Sequence, residues 1–344
     1  MRVLLVKLSS LGDVVHTFPA LTDAAAAIPG LEIDWLVDED FAPLARLHPA
    51  VGRAVTVPLR RLKTTPRGAL GALGLAVRRL RAVRYDVVID AQGLMKSALL
   101  GLLARGGRRH GFSRDSAREG VAAFTYHEGH AIPEVEHMAT RIRRLFAAAL
   151  GYPMPATPAS AGLDRARVAG PPGARPYILF IHGTSWQTKT WTVEGWRALA
   201  ERAELRSRTA LLFAHGEREE ARAAAIAEGL PAVERLPPGR LDRLIPIVAG
   251  AEAAVTVDTG LGHLAAAFDL PTIGLYGPTD PGLTGLVGAR TRAFVATLPC
   301  APCEKTTCGI APDFGEGPPC LAGHAAGAVW RALEDLDPGS GRSG

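Results

Sequence analysis

The sequence predicts an α/β protein built from two doubly wound parallel-sheet domains in series. Short β-branched apolar runs alternate with helical segments in both halves of the chain. A stretch rich in Pro, Ala and Gly, 152–176, interrupts this rhythm and is typical of a linker. With 344 residues the chain is also long enough for two domains of average size. We therefore expect an N-terminal domain over 1–155, a linker over 156–176, a C-terminal domain over 177–335 and a flexible tail over 336–344.

In the first half, four runs are short, β-branched and bounded by Gly, Pro or Asp, which predicts strands over 2–8, 32–38, 54–58 and 85–93. Helical periodicity predicts helices over 13–28, 67–83, 94–105 and 135–151, the last ending at Gly151. The alternation of the two kinds of element favours a parallel sheet covered by helices.

The second half repeats the pattern, with strands predicted over 177–183, 209–216, 253–260 and 271–278 and helices near 192–205, 217–229 and 241–250. These strands end in the polar, Gly-rich sequences HGTS, HGERE, VDTG and YGPTD. A parallel sheet binds its ligand at the carboxyl ends of its strands, so these turns are the expected ligand edge.

Composition is that of a globular protein, with 47% hydrophobic and 21% charged residues. The formal net charge of +5 is concentrated in 67–84 and 105–118. These stretches form either a solvated surface or a surface that meets phosphates, carboxylated sugars or an anionic membrane. The sequence shows no helix-turn-helix, aromatic platform or zinc-finger spacing, which disfavours nucleic acid as a partner.

The first apolar run breaks at Lys7 and no run approaches the roughly 20 residues of a membrane span, so we expect a cytoplasmic protein, soluble or membrane-associated.

Asp13 opens a helix directly after the first strand, within KLSSLGDVVHTFPAL (7–21). An acid at this position either stabilises the helix dipole or acts on a substrate at the edge of the sheet. No GxGxxG sequence occurs in this segment, which disfavours a dinucleotide site here.

Hydroxyl groups and an ammonium follow the first strand of the second half, at Thr184, Ser185 and Lys189. Together with backbone N–H groups they suit a pyrophosphate, although a capped loop with a solvent-exposed lysine has the same composition. The turn VTVDTGLGH (255–263) ends a buried strand and starts an apolar helix whose N–H groups can face an anion. Its candidate ligand contacts are Asp258, Thr259, Gly260 and His263.

The cysteines crowd into one Pro- and Gly-rich stretch, at Cys300, Cys303, Cys308 and Cys320. Four thiolates can close a tetrahedral zinc or iron site, and Cys-x2-Cys is the usual first half of one. Because a second Cys-x2-Cys is missing, disulfides and reduced thiols remain alternatives. Any metal here would be structural.

Four segments in order, KLSSLGDVVHTFPAL, YDVVIDAQGLMKSALL (85–100), VTVDTGLGHLAAA and YGPTDPGL (276–283), resemble the ADP-heptose:lipopolysaccharide heptosyltransferase family. The resemblance implies the GT-B fold, two Rossmann-like domains facing a central cleft, with the acceptor bound by the first and ADP-heptose by the second. It also implies an inverting, metal-independent transfer of heptose from ADP-L-glycero-D-manno-heptose to Kdo of Kdo-lipid A in the inner core of lipopolysaccharide.

DAQGLMKSA (90–98) and YGPTDPG favour heptosyltransferase I within this family. Heptosyltransferase II, which adds the second heptose, is the near alternative, and a protein heptosyltransferase is another. From a different class, a non-catalytic sugar-nucleotide-binding protein would share the donor motifs.

Roles for individual residues follow from the same resemblance. Asp13 matches the general base, and Lys189 matches a group that stabilises the departing phosphate. The donor side comprises Thr184, Ser185, Lys189, Glu219, Asp258, Thr259, Gly260 and His263. The acceptor side comprises Arg60, Arg118, Gln92 and Lys96, of which the two arginines match residues that face phosphate or Kdo carboxylate groups. The sequence departs from the family at 186–188, which reads WQT where relatives are often more acidic.

The family's chemistry requires no cofactor, so zinc or iron at the cysteines would serve the structure only. The expected partners are ADP-heptose, Kdo-lipid A and the cytoplasmic face of the inner membrane, on which the protein would be peripheral.

Overall fold

The computed structural model describes residues 1–168, 170, 176–206, 208–213, 216–315 and 317–336. Residues 169 and 171–175 of the predicted linker and 337–344 of the predicted tail lie outside the described residues. The chain divides into two compact units, Met1–Leu163 and Asp164–Gly344, called unit 1 and unit 2 below.

Unit 1 contains a parallel sheet whose six strands, among the residues described, are β1 (Arg2–Val6), β2 (Glu32–Asp38), β3 (Val51–Val57), β4 (Arg84–Asp90), β5 (Arg105–Phe112) and β6 (Glu128–His130). Their order across the sheet is β3-β2-β1-β4-β5-β6. The chain progresses outward in both directions from the β1–β4 pair. In a doubly wound sheet this reversal opens a crevice at the carboxyl ends of the two central strands.

The helices of unit 1 are α1 (Leu11–Val15), α2 (Phe18–Ala27), α3 (Ala42–Ala45), α4 (Leu59–Thr64), α5 (Pro66–Arg81), α6 (Met95–Gly101) and α7 (Met138–Leu150), with 3₁₀ turns at Glu39–Phe41 and Gly120–Thr125. Helix α7 packs against α2, and Arg143 of α7 donates to Asp23 of α2 at 2.6 Å. The helix ends where the pattern predicts, at Gly151, whose φ of 75° is left-handed.

Unit 2 contains a second parallel sheet of six described strands, β7 (Tyr177–Ile181), β8 (Thr209–Phe213), β9 (Val233–Leu236), β10 (Ala253–Val257), β11 (Thr272–Tyr276) and β12 (Thr291–Val295). Their order is β12-β11-β10-β7-β8-β9, so here the reversal lies between β7 and β10. The predicted donor residues follow these two strands, except Glu219, which lies on the helix after β8.

The helices of unit 2 are α8 (Val193–Leu205), α9 (Glu217–Ala227), α10 (Leu241–Gly250), α11 (Gly260–Ala267), α12 (Pro281–Thr284), α13 (Pro319–Ala322) and α14 (Ala326–Leu336), with 3₁₀ turns at Arg165–Arg167 and Gln187–Lys189. A buried aromatic group of Phe180, Trp191 and Trp196 fixes α8 on the sheet. In the portions of the chain that are described, no helix is both long and apolar enough to cross a bilayer.

The two-sheet α/β architecture confirms the predicted fold class, but four strands have no counterpart in the sequence prediction: β5, β6, β9 and β12. Strand β5 reads RGGRRHGF and β9 reads VERL, and neither is a continuous apolar run. They form strands because each pairs with a neighbour already in the sheet. The helix predicted over 94–105 is wrong at its end, since α6 stops at Gly101 and residues from Arg105 pair with β4.

Candidate functional site

Asp13 lies in the first turn of α1, just beyond the carboxyl end of β1. Its Oδ1 accepts a hydrogen bond from Lys7 Nζ at 3.2 Å. Its Oδ2 accepts from the Ser10 backbone N–H at 3.0 Å and from the Ser10 hydroxyl at 3.1 Å. The side chain keeps 16% of its surface exposed. The carboxylate is therefore held by these hydrogen bonds and is still partly accessible to solvent.

Lys7 is the partner that sequence reasoning missed. Its side chain is almost fully buried, and Nζ also donates to the Ala91 carbonyl at 3.0 Å. Burial alone raises the pKa of Asp13, but the Lys7 ammonium, the Ser10 N–H and the charge of Arg118 together lower that pKa to about 2. Asp13 is therefore ionised at neutral pH. The available signal was the lysine that interrupts the buried strand RVLLVKL, because a buried ammonium needs a counter-charge.

Gln92 fastens the loop that leads to Asp13. Its Oε1 accepts from the Leu8 N–H at 3.0 Å and the Ser9 N–H at 3.2 Å, and the residue is buried. The structure thus brings Gln92 to the Asp13 loop, with its carboxamide oxygen already used by two backbone donors.

Asp90 organises the turn beneath Gln92 and was also missed by the sequence prediction. Its carboxylate accepts from the Ser97 hydroxyl at 2.8 Å, the Tyr126 hydroxyl at 2.8 Å and the Gln92 N–H at 2.9 Å. Burial raises the pKa of Asp90, and these hydrogen bonds oppose the rise. The result is a rigid base for α6, which carries the exposed Lys96.

The predicted acceptor-side cations occupy different surroundings. Arg118 is exposed and close enough to lower the pKa of Asp13. The backbone beside it is held by Glu119, whose carboxylate accepts from the Met95 N–H at 2.7 Å. Arg60 is 73% exposed on α4, lies 3.4 Å from Asp40 and, for the residues described here, has no contact with Asp13.

In unit 2 two of the predicted donor residues, Lys189 and His263, lie beside Asp258, which directly follows β10. Lys189 Nζ donates to Asp258 Oδ2 at 2.6 Å, and the Thr279 hydroxyl donates to the same oxygen at 2.8 Å. His263 Nε2 lies 3.7 Å from Oδ1. Residues from three separate turns of the chain are thus gathered on one carboxylate, and Thr279 is the member that sequence reasoning did not select.

This group is charged and shielded from water, with 16% of the Lys189 side chain and 8% of the Asp258 side chain exposed. Burial by itself raises the pKa of Asp258, but His263 and Lys189 outweigh it and hold that pKa well below its usual range. The ammonium of Lys189 also lies 4.3 Å from the centre of the Trp186 ring, a cation–π contact. Lys189 is therefore fixed in position by an anion on one side and an aromatic face on another.

Helix α11 begins at Gly260 immediately after this carboxylate. A Cβ at Gly262 would lie 2.5 Å from Thr256 Oγ1, so only glycine lets the first turn pack this closely on β10. Within the described chain, the Thr259 side chain makes no capping hydrogen bond to the first turn. The first-turn N–H groups carry a partial positive charge that favours an anionic ligand.

Glu219 lies against the backbone next to Thr184 and Ser185, just past the end of β7. Thr184 is buried and Ser185 is exposed. A Cβ at Gly183 would lie 2.5 Å from Glu219 Oε2, so the carboxylate of Glu219 rests against the backbone at this glycine. The structure therefore places the predicted ribose-side acid beside the predicted phosphate-side hydroxyls.

The Cys-rich segment, 300–320, is hydrogen-bonded to two of the turns of the donor site and acts as a brace between them. The Thr188 hydroxyl, next to Lys189, donates to the Lys305 carbonyl at 2.8 Å. On the other side, the Glu304 N–H donates to the Pro278 carbonyl at 2.7 Å, and the Glu304 carboxylate accepts from the Asp280 N–H at 3.0 Å. Two consecutive residues thus hold the turns that carry Lys189 and Thr279, and no pattern in the sequence indicates this.

The cysteines lie around this brace. Cys300 is exposed, and Cys303, Cys308 and Cys320 are partly buried. Burial raises the pKa of the Cys320 thiol, and the nearby Cys303 and Cys308 raise it further. In the described structure no three of these sulfurs lie within 4.8 Å of one another. A structural metal at the cysteines therefore remains a prediction.

The sequence matches the family model for glycosyltransferase family 9 (heptosyltransferase) over residues 75–312. The chain belongs to this family. Lipopolysaccharide heptosyltransferase 1 of Pseudomonas aeruginosa is 47% identical over 314 residues, which cover 91% of this chain and 88% of the relative. Its counterpart in Escherichia coli K12 is 44% identical over 292 residues, covering 84% of this chain and 91% of the relative. By contrast, lipopolysaccharide heptosyltransferase 2 of E. coli K12 is 26% identical over 323 residues.

Among solved structures, E. coli heptosyltransferase WaaC with ADP superposes with a TM-score of 0.84 at 38% identity, covering 98% of this chain and 100% of that one. This likeness confirms the GT-B type of fold, and family membership confirms that the chain is a glycosyltransferase.

Proposed function

We propose that this glycosyltransferase moves heptose from ADP-L-glycero-D-manno-heptose to Kdo of Kdo-lipid A, the first heptose of the lipopolysaccharide inner core. The observation that carries the proposal is the Lys189–Asp258 pair at the start of α11, which presents a fixed ammonium beside a helix N-terminus. The similarity to heptosyltransferase 1 relatives, 47% identity against 26% for a heptosyltransferase 2, favours the first heptose over the second.

In the proposed donor site the diphosphate lies on Lys189 and the first turn of α11, with Thr184, Ser185 and Thr259 as further hydroxyl donors. Lys189 has three N–H donors, of which Asp258 takes one. As the bond from heptose to ADP breaks, negative charge grows on the leaving phosphate. A fixed ammonium and a helix dipole aimed at that oxygen stabilise the charge without reorganising in the reaction.

On the proposed acceptor side, Asp13 removes the proton from the attacking Kdo hydroxyl. The carboxylate is ionised at neutral pH because Lys7 and Ser10 hold its pKa near 2, so it is in the form that accepts a proton. The same contacts make Asp13 a weak base. Proton transfer therefore has to accompany bond formation, when the hydroxyl becomes strongly acidic. Arg118, Lys96 and Arg60 then serve to attract the phosphates and carboxylates of the acceptor.

No metal is assigned a part in this chemistry, and zinc or iron at the four cysteines would hold the Cys-rich brace in place. The acceptor is a lipid, so we also propose that the protein works on the cytoplasmic face of the inner membrane as a peripheral protein. The basic residues of α4 and α5 support an attraction to anionic lipid.

A panel of acceptors tests the proposal. Purified protein is incubated with ADP-heptose and either Kdo-lipid A, heptosylated Kdo-lipid A or a peptide, and each acceptor is weighed by mass spectrometry. We expect one heptose increment on Kdo-lipid A alone. An increment only on the heptosylated lipid would instead identify a second-heptose enzyme, and one on the peptide a protein heptosyltransferase. ADP binding without any increment would leave a nucleotide-binding protein with no transferase activity on these acceptors.

A further inference from the structure

Two histidines and a glutamate come together on the outer strands of the unit 1 sheet. His110 on β5 is the register partner of Glu128 on β6, and Phe112 is the partner of His130. Because side chains alternate along a strand, His110, Glu128 and His130 project from the same face of the sheet. They are separate from the residues around Asp13 and from those around Asp258.

The polar atoms of these three side chains are close. His110 Nδ1 lies 3.0 Å from His130 Nε2, and the two rings are stacked with centroids 5.3 Å apart. Each oxygen of Glu128 lies 4.0 Å from a histidine nitrogen, Oε2 from His110 Nδ1 and Oε1 from His130 Nδ1. One ligand atom from each residue fits within 4.8 Å of the other two. His110 is buried and Glu128 is exposed, so one side of the group faces the protein interior and the other is open to solvent.

We propose that His110, Glu128 and His130 bind a divalent transition-metal ion of zinc's class. Zinc–nitrogen bonds of about 2.0–2.1 Å at a tetrahedral angle place two ligand nitrogens about 3.3–3.4 Å apart. The observed 3.0 Å separation needs an adjustment of a few tenths of an ångström. A rotation of the exposed Glu128 side chain brings an oxygen in as third ligand, and water completes the fourth position.

The donor set suits the ion, because imidazole nitrogens and a carboxylate oxygen are ligands that zinc binds. The opposing group is Arg108, whose guanidinium lies 3.3 Å from a Glu128 oxygen. That ion pair is exposed and contributes little stability, but it occupies the carboxylate.

A bound ion would fasten β6, a strand of three residues, to β5. The same strand end leads through Ser113, whose N–H donates to the His130 carbonyl at 2.8 Å, into the loop that carries Arg118. The ion would thus stabilise the edge of the sheet from which the acceptor-side loop departs. This inference does not depend on which sugar the enzyme transfers.

Cobalt(II) is the probe because its absorption distinguishes imidazole from thiolate ligands. The full chain, freed of any affinity tag, is titrated with Co²⁺ at pH 7 under reducing conditions. In the full chain with Cys303→Ser, which lacks the predicted cysteine site, we expect visible d–d bands that saturate at one ion per chain, lack the thiolate charge-transfer band and disappear when Zn²⁺ is added. His110→Gln and His130→Gln should each weaken binding at least about tenfold. His127→Gln, a neighbouring histidine outside the group, is the matched control and should bind as the wild type does.

A second pair of variants improves binding and so cannot be explained by misfolding. Arg108→Gln frees Glu128 from its ion pair and should tighten Co²⁺ binding several-fold, while Arg105→Gln, on the same strand, should leave it unchanged. The proposal is overturned if cobalt gives only the thiolate band, or if the two histidine variants bind like the wild type with unaltered circular dichroism. Unchanged affinity in Arg108→Gln would remove Glu128 from the ligand set and with it the proposed site.

Discussion

Replacing Lys189 by alanine should weaken the binding of ADP at the donor site. A second substitution then separates this effect from the loss of folding stability. In the wild type Lys189 is 2.6 Å from Asp258, and neither side chain is more than 16% exposed. A charge-assisted hydrogen bond to a ligand phosphate contributes about 1.5–3 kcal/mol. Since each 1.4 kcal/mol is a factor of ten, the dissociation constant for ADP should rise about 10- to 150-fold. Isothermal titration with ADP measures this directly.

The same substitution leaves Asp258 as a buried carboxylate without its ammonium partner, although Thr279 and His263 remain beside it. Removing one partner of a buried pair costs about 3–5 kcal/mol, so Lys189→Ala should also unfold at lower urea concentration. The double variant Lys189→Ala/Asp258→Asn removes the unpaired charge. It should recover much of the lost stability without recovering ADP affinity.

Two matched controls come from unit 1. Arg60→Ala and Arg118→Ala each remove an exposed cation from the proposed acceptor side, and both should leave ADP affinity within a factor of about two while reducing use of Kdo-lipid A. The reasoning is refuted if Lys189→Ala binds ADP as the wild type does. It is equally refuted if Arg118→Ala weakens ADP binding as strongly as Lys189→Ala.

Four further predictions concern Asp13, Glu304 and the cysteines. Asp13→Asn should bind ADP normally but lose about two to four orders of magnitude in turnover, measured as ADP release with acceptor present. Because the folded state holds the pKa of Asp13 near 2, below its ordinary 3.8, its pair with Lys7 stabilises the fold above pH 3.8. Urea unfolding at several pH values should therefore show about 2 kcal/mol of stability over Asp13→Asn lost as pH falls from 3.8 to 2. Glu304→Ala should raise the donor KM several-fold with kcat nearly unchanged, Glu304→Gln should rescue it, and the exposed Asp313→Ala should have no effect; an equal loss in the Gln variant would remove Glu304 as a positioning residue. Elemental analysis after purification without added metal should find near one structural ion per chain that disappears in Cys303→Ser, and less than about 0.2 per chain with freely titrating thiols would rule the cysteine site out.

The central strands and their ligand edge could be predicted from the sequence because each is a continuous apolar run that ends in a polar turn. Strand β2 occupies 32–38 as predicted, β7 ends three residues before Thr184, and β10 ends directly before Asp258. The strands that could not be predicted are β5, β6, β9 and β12. Strand β5, for example, is rich in Arg and Gly and acquires its conformation from pairing with β4. The local signal of such a strand is weak because its neighbours determine its conformation.

The candidate site, too, could be predicted only in part from the sequence. Residues that resemble a family motif, such as Asp258 and Lys189, could be selected from the sequence, but their contact across 69 positions could not. Thr279 and Glu304 were missed because a hydroxyl or an acid in a Gly- and Pro-rich loop has no pattern of its own. Lys7 had a signal, a charge inside an apolar strand, whose meaning became clear only when Asp13 was found beside it.

The most direct test of the account is the number of heptose units transferred to Kdo-lipid A for each ADP released, measured together by mass spectrometry and a coupled ADP assay. We predict one heptosylated lipid per ADP in the wild type. In Asp13→Asn both should fall together, with ADP affinity unchanged. ADP release without heptosylated lipid, or near-normal transfer by a well-folded Asp13→Asn protein, would contradict the assignment of Asp13 and the donor cluster to heptose transfer.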